Sequence, residues 1–160
     1  VRFEASTEAN GEKRAGRLMK GTSTETAMEI TLVDMAWLKP HEEVQPERVT
    51  ELQAQFEASG HVDLPLLVDQ VTGTILDGHH RFTVGQVLGL TRMPALLFNY
   101  LDEPRIAVDT WPDCGRENIT KEEIIEIAAR GERTPPKTSR HHIDVPIPMI
   151  QVPLSELRSS

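Results

Sequence analysis

The sequence predicts an α+β domain, with a small mixed sheet and helices flanking it. Two observations carry that prediction. Short apolar runs bounded by Gly, Pro and Asp recur along the chain at strand length. Between them lie segments of helical period with their own start and stop residues.

The chain has 160 residues, enough to bury a core in one domain. Residues 1–27 are polar, rich in small residues and without apolar period, so they are expected to form a mobile leader. The folded domain is expected over 28–160. It opens with "MEITLVDMAWL", whose first half alternates Ile30 and Leu32 with polar neighbours, as a half-buried strand does. "KPHEEV" follows as a loop. "QPERVTELQAQFEASG" is the clearest helix: Pro46 suits its first turn, Gly60 its stop, and Val49, Leu52 and Phe56 fall on one face. "LPLLVDQ" and "TGTILD" predict a hairpin turning at Val71–Gly73. "HHRFTVGQVLG" predicts a short helix and "MPALLFNYL" a further strand. "TKEEIIEIAARG" starts on a capping box, Thr120 with Glu123, and stops at Gly131. "ERTPPKTSRHH" is expected to be a loop. The tail has prolines at 146, 148 and 153, which fit edge strands or extended packing.

The formal charge is −8. Binding nucleic acid over a broad surface needs a basic face, so a nucleic-acid partner is not expected. The longest apolar runs fall far short of the ~20 residues that span a bilayer, so no membrane partner is expected either. The single cysteine, Cys114, excludes a disulfide framework and a cysteine-rich zinc site, and suits a reducing, cytoplasmic setting. The oligomeric state is not legible.

Against this acidic background, "TILDGHHRF" concentrates potential cations behind a tight turn. A strand ends, Asp77-Gly78 turns the chain, and a helix starts at His79. The first turn of a helix has free N–H groups and a partial positive charge, so it can seat an anion. Gly78 allows close approach, while His79, His80 and Arg81 add donors. Asp77 could hold a magnesium ion or orient a hydroxyl. A plain capped helix with two solvated histidines explains the stretch about equally well. Two further polar stretches qualify as partners. "PHEEV" puts His41, Glu42 and Glu43 in a loop, where a carboxylate could act as a general base or form only a solvated face. "TPPKTSRHH" carries Lys137, Thr138, Ser139, Arg140, His141 and His142, as a second phosphate clamp or a flexible basic loop. Trp111, in "DTWPD", by itself reads as core more readily than as a ligand platform.

In this order, "LKPHEEV", "PLLVDQ", "ILDGHHRFTVGQVLGL", "MPALLF", "VDTW" and "PPKTSRH" resemble the free L-serine kinases of the ParB/sulfiredoxin-like fold. The resemblance runs from about residue 29 to the end. It implies phosphoryl transfer from ATP or ADP, with magnesium, to the hydroxyl of free L-serine. It implies roles position by position. Glu42 would deprotonate the hydroxyl, and Asp77 would place magnesium or substrate. Gly78, His79, His80 and Arg81 would cradle the nucleotide phosphates. Trp111 would lie near bound serine. Lys137, Thr138, Ser139, Arg140 and His141 match the tail motif, with Ser139 where the archaeal type has its second threonine. Sulfiredoxins carry a catalytic cysteine at the place of His79, so their chemistry is not expected. ParB proteins have a DNA-binding domain after an Arg-rich version of the turn. A nucleotide-binding regulator or a DNA-partitioning relative on the same fold is the alternative. No P-loop or protein-kinase signature is present.

Overall fold

The computed structural model of the protein describes residues 2–4 and 29–158. Of the expected leader, Arg2–Glu4 is described: it forms β1, which pairs antiparallel with Glu29–Asp34 (β2). Residues 5–28, which hold the rest of the leader and the expected opening at Met28, lie outside the described residues.

The main sheet has the order β1-β2-β6-β4-β5, with β4 at Leu66–Asp69, β5 at Ile75–Asp77 and β6 at Arg92–Phe98. The expected hairpin is β4–β5, antiparallel, with Asp69 at its turn. Asp69 is buried because its carboxylate takes three donors there, the Thr72 N–H and hydroxyl and the Tyr100 N–H. Strand β4 pairs parallel with β6, so the chain must cross over between them. Helix α2, His79–Val87, lies in that crossover. Every residue of β4 is buried, as a strand covered on both faces requires.

Helix α1 spans Pro46–Ser59 and packs on α2. It stops at Gly60, whose φ of +79° is the left-handed conformation of a helix end. The predicted face is the packed one: Phe56 is buried, and Val49 and Leu52 are half-buried against the core. Helix α3, Lys121–Ala129, starts on the predicted Thr120–Glu123 capping box. Two short ribbons complete the domain. His61–Val62 (β3) pairs with Val152–Pro153 (β9), so the proline-rich tail packs as an extended edge. The tail ends in one helical turn, Leu154–Arg158 (α4), too short for its period to be legible.

The segment "ERTPPKTSRHH" departs from expectation. Its second half is not a loop but strand β8, Ser139–Ile143, paired antiparallel with Ile106–Thr110 (β7) over five positions. The pairing explains the polar composition. Ser139, His141 and Ile143 face inward at period two, while Arg140 and His142 face outward onto Asp109. Arg140 stands directly opposite Asp109 and grips it with Nε and Nη2 at 3.0 and 3.3 Å.

Candidate active site

Three loops converge on a cleft of about 530 Å³. The first follows β2 and carries His41–Gln45. The second is the turn from β5 into α2. The third is the entry to β8. The first loop is fastened to the third by a one-residue bridge between Glu42 and Thr134. In it Glu43 N–H donates to Thr134 O at 2.8 Å, and Thr134 N–H donates to His41 O at 3.0 Å.

The turn into α2 needs glycine at position 78. Its φ is +109°, and a Cβ there would lie 2.5 Å from Leu66 Cδ2 and 3.0 Å from Arg81 Nη2. Arg81 thus packs under the turn, with Nη2 donating to Pro65 O at 3.0 Å and to Asp77 Oδ2 at 3.3 Å. The Nε of Arg81 has no partner among the described residues. Asp77 is exposed on the cleft.

His79 and His80 each engage the first loop through one ring nitrogen. The His79 Nε2 accepts the N–H of His41, and the His80 Nε2 accepts the N–H of Gln45, each at 3.1 Å. An accepting Nε2 places the ring proton on Nδ1, so both rings are neutral. Burial holds the His79 pKa well below the usual range, helped by the nearby His41 and His141, and burial also lowers that of His80. Of the three potential cations behind the turn, the two imidazoles are thus held as neutral acceptors. The histidines tie the His41–Gln45 loop to the start of α2 and still line the cleft.

Beneath them is a cluster of imidazoles. The His41 ring is 1% exposed, and neither of its nitrogens has a hydrogen-bond partner among the described residues. It meets the edge of His79 with ring centroids 4.5 Å apart and stands 6.1 Å from His141. The His141 Nε2 bonds the buried hydroxyl of Tyr100 at 2.8 Å. Burial lowers His41 to about 4 and His141 to about 3.

Glu42 lines the same cleft as Asp77–Arg81 and is held by the third loop. Its Oε1 accepts the Ser139 N–H at 3.2 Å and the Ser139 hydroxyl at 3.0 Å, and its Oε2 accepts the Lys137 N–H at 3.1 Å. Burial raises its pKa, and these donors pull the other way without cancelling the rise. Glu43 is exposed on the cleft rim.

Trp111 is half-buried on the cleft rather than in the core. Its ring is bracketed by Arg140 Cζ at 5.0 Å and Lys137 Nζ at 5.5 Å from the centroid. The Lys137 ammonium has no acidic partner among the described residues, whereas Arg140 is engaged by Asp109. Thr138 does not line the cleft: its hydroxyl donates to Pro135 O at 2.7 Å and closes the turn before β8.

The cleft therefore brings together Glu42, Asp77, Gly78, His79, His80, Arg81, Trp111, Lys137, Ser139, Arg140 and His141, and leaves Thr138 beside it. Sequence reasoning missed Arg48, Leu52 and Gln55 of α1, with Asp63 and Leu64. The signal was available: positions 48, 52 and 55 share one helix face, but Leu52 reads first as part of the apolar Val49–Leu52–Phe56 face. Among the described residues no three His, Cys, Asp or Glu side chains form a metal-holding group. Asp77 is a single carboxylate, which suits a magnesium ion held mainly by nucleotide phosphates rather than by a protein cage. No described helix is long and apolar enough to cross a membrane.

No family model matches the chain. Over 88 residues, 52% of its length, it is 35% identical to an ATP-dependent L-serine kinase of Staphylothermus marinus. Over the same share it is 28% identical to an ADP-dependent L-serine kinase of Thermococcus kodakarensis. Over 74 residues it is 35% identical to a ParB-like protein of Sulfolobus acidocaldarius. The chain spans about a third of the length of these curated relatives, 34% of the first. Among solved structures, a free serine kinase in complex with AMP superposes with a TM-score of 0.73 at 20% identity. That match covers 80% of this chain and 93% of the other. A variant of free serine kinase in complex with ADP gives 0.71 at 20% identity, over 80% and 93%. The chain thus has the fold of the free serine kinases, and its sequence is similar to that of curated L-serine kinases.

Proposed function

We propose that this domain transfers a phosphoryl group from a nucleotide, ATP or ADP, to the hydroxyl of free L-serine, giving O-phospho-L-serine. The observation that carries the reading is the placement of Glu42, a carboxylate with a raised pKa, on the same cleft as the Gly78–Arg81 turn. Phosphoryl transfer needs positioning and charge neutralisation more than covalent chemistry, and a cleft lined by both a base and an anion seat supplies both.

The nucleotide phosphates approach the start of α2, where free N–H groups, the neutral Nδ1–H groups of His79 and His80, and the Arg81 guanidinium offer donors. Magnesium would be carried by the phosphates with Asp77 contributing an oxygen, and would neutralise charge on the moving group. Serine sits toward Trp111 and Lys137, whose ammonium suits a carboxylate. Glu42 faces the hydroxyl. Its carboxylate uses three acceptor positions on Lys137 and Ser139 and keeps capacity for one more, so it can take the hydroxyl proton as the new P–O bond forms. A nucleotide donor suits a cytoplasmic setting.

A nucleotide-binding regulator on this fold would need the phosphate seat but no base on the same cleft, so Glu42 favours transfer over binding alone. The test is incubation with L-serine, magnesium and either ATP or ADP, followed by phosphorus NMR. A phosphomonoester signal that requires serine is expected with one of the two. Nucleotide binding without any phosphoserine would overturn the kinase reading in favour of the regulator.

A further inference from the structure

The grip on Glu42 has the geometry of an anion site. Backbone N–H groups two positions apart, on Lys137 and Ser139, converge on a single carboxylate, and the Ser139 hydroxyl joins them. Convergent N–H groups of this kind form a nest that holds oxyanions generally. The backbone is strained to build it. Lys137 has φ +61°, a conformation costly for a residue with a side chain and one that persists where surroundings impose it. The seat opens on the cleft: Lys137 is exposed, its bond to Glu42 lies at the solvent side, and its ammonium, without an acidic partner among the described residues, stands over Trp111 beside it. Here the oxyanion in the seat belongs to the chain itself.

We propose that the N–H groups of Lys137 and Ser139, with the Ser139 hydroxyl, form an oxyanion seat that Glu42 fills from within. A small carboxylate or phosphate oxyanion entering the cleft takes the seat and displaces Glu42 from it, so that all of the carboxylate's acceptor capacity turns toward the hydroxyl it already faces. The seat stands on hydrogen-bond geometry, and the turn toward a hydroxyl rests on the kinase reading. The exchange swaps one charged acceptor for another, so it needs no net loss of hydrogen bonds. It also links the base to the substrate, because the carboxylate is released where an anion has arrived.

Titration of the 15N-labelled protein, followed by the amide signals of Lys137 and Ser139, tests the seat directly. The probes are acetate and inorganic phosphate. The proteins are wild type, Glu42→Ala, Glu42→Gln and Glu43→Gln. With the internal competitor gone, Glu42→Ala should bind the probes about tenfold more tightly than wild type, the scale of one charge-assisted contact. Glu42→Gln, still able to accept but uncharged, should fall between. Glu43→Gln should match wild type, although it removes the same charge from the same cleft. Adding Ser139→Ala to Glu42→Ala should cancel part of the gain. Equal tightening in the Glu42 and Glu43 variants would mean a general field effect, and no tightening in either Glu42 variant would mean a fixed structural clamp. Either result overturns the proposal. L-serine, which carries a carboxylate and no phosphate, and O-phosphoethanolamine, which carries the reverse, then tell which oxyanion takes the seat. Simple anions that bind as expected without any serine turnover would leave the seat standing and remove the kinase reading. Serine turnover with silent Lys137 and Ser139 amides would do the opposite.

Discussion

The Nε2 of His79 accepts the backbone N–H of His41 at 3.1 Å, joining the start of α2 to a loop 38 positions earlier. One imidazole therefore serves as a structural acceptor, and its neutrality is a condition of the site. Burial also favours the neutral form of His41, edge-on to His79, and of His141, 6.1 Å from His41.

This makes the domain sensitive to acid. His41 has a folded pKa of about 4 and His141 about 3, against about 6.5 for unfolded histidine. Below pH 6.5 the unfolded chain binds protons that the folded chain refuses. The stability these groups contribute is complete above pH 6.5 and is lost as pH falls toward 4 and below. The melting temperature should drop between pH 7 and pH 4.5. His41→Leu should flatten the slope, because the His41 ring has no hydrogen-bond partner to lose. A variant as acid-sensitive as wild type would locate the effect elsewhere.

Gly78→Ala should damage the turn more than any surface change. The φ of +109° resists a Cβ, and the space for one is already filled by Leu66 and Arg81. A stability loss of about 1–3 kcal/mol is expected from the strained backbone alone. Nucleotide affinity should fall with it, because Arg81 must shift. Calorimetric melts and nucleotide titration check the two effects. A variant with wild-type melting and affinity would refute this account of the glycine.

Much of this arrangement was legible in the sequence, and the reasons differ by element. Helices α1 and α3 carried their own boundaries, Pro46 with Gly60 and Thr120 with Glu123, so local chemistry sufficed. The β4–β5 hairpin and the turn at Gly78 were legible for the same reason. Strand β8 was not. Its sequence, Ser-Arg-His-His-Ile, has no apolar alternation, and its pairing is stabilised by Asp109 on a distant strand. The cleft residues were found as types, but their duties depend on tertiary partners. Nothing local says that His79 and His80 accept N–H groups from the His41–Gln45 loop, or that the hydroxyl of Thr138 turns back onto Pro135.

Trp111 separates binding from stability. It is half-buried and bracketed by Lys137 and Arg140 at the cleft. Trp111→Ala should raise the KM for serine more than that for the nucleotide. The melt should lose less than the roughly 3–5 kcal/mol expected for a fully buried tryptophan. Steady-state kinetics beside thermal melts distinguish the outcomes. A collapsed melt with a normal serine KM in the folded fraction would return Trp111 to the core.

Glu42 and Glu43 offer the sharpest comparison, since they are adjacent, both acidic and both on the cleft. Their environments differ. Glu42 is half-buried and held by Lys137 and Ser139, while Glu43 is exposed and uses its backbone to pair with Thr134. Neighbouring side chains on an extended loop point apart, so a single hydroxyl can face only one of them. A positioned base contributes about 10²–10⁴ in rate. Glu42→Gln keeps size and acceptor geometry but cannot take a proton, so kcat should fall by that factor. Nucleotide affinity should persist, because the α2 turn belongs to a different segment. Glu43→Gln should cost far less, since an exposed carboxylate contributes little by itself. The pH profile adds a second readout: the acid limb of kcat should lie above the usual carboxylate range, as burial of Glu42 requires, and should disappear in Glu42→Gln. If Glu43→Gln is the inactive variant, the base has been misassigned. If both variants keep full activity, Asp77, a further carboxylate on the cleft beside the Gly78 turn, becomes the residue to change next.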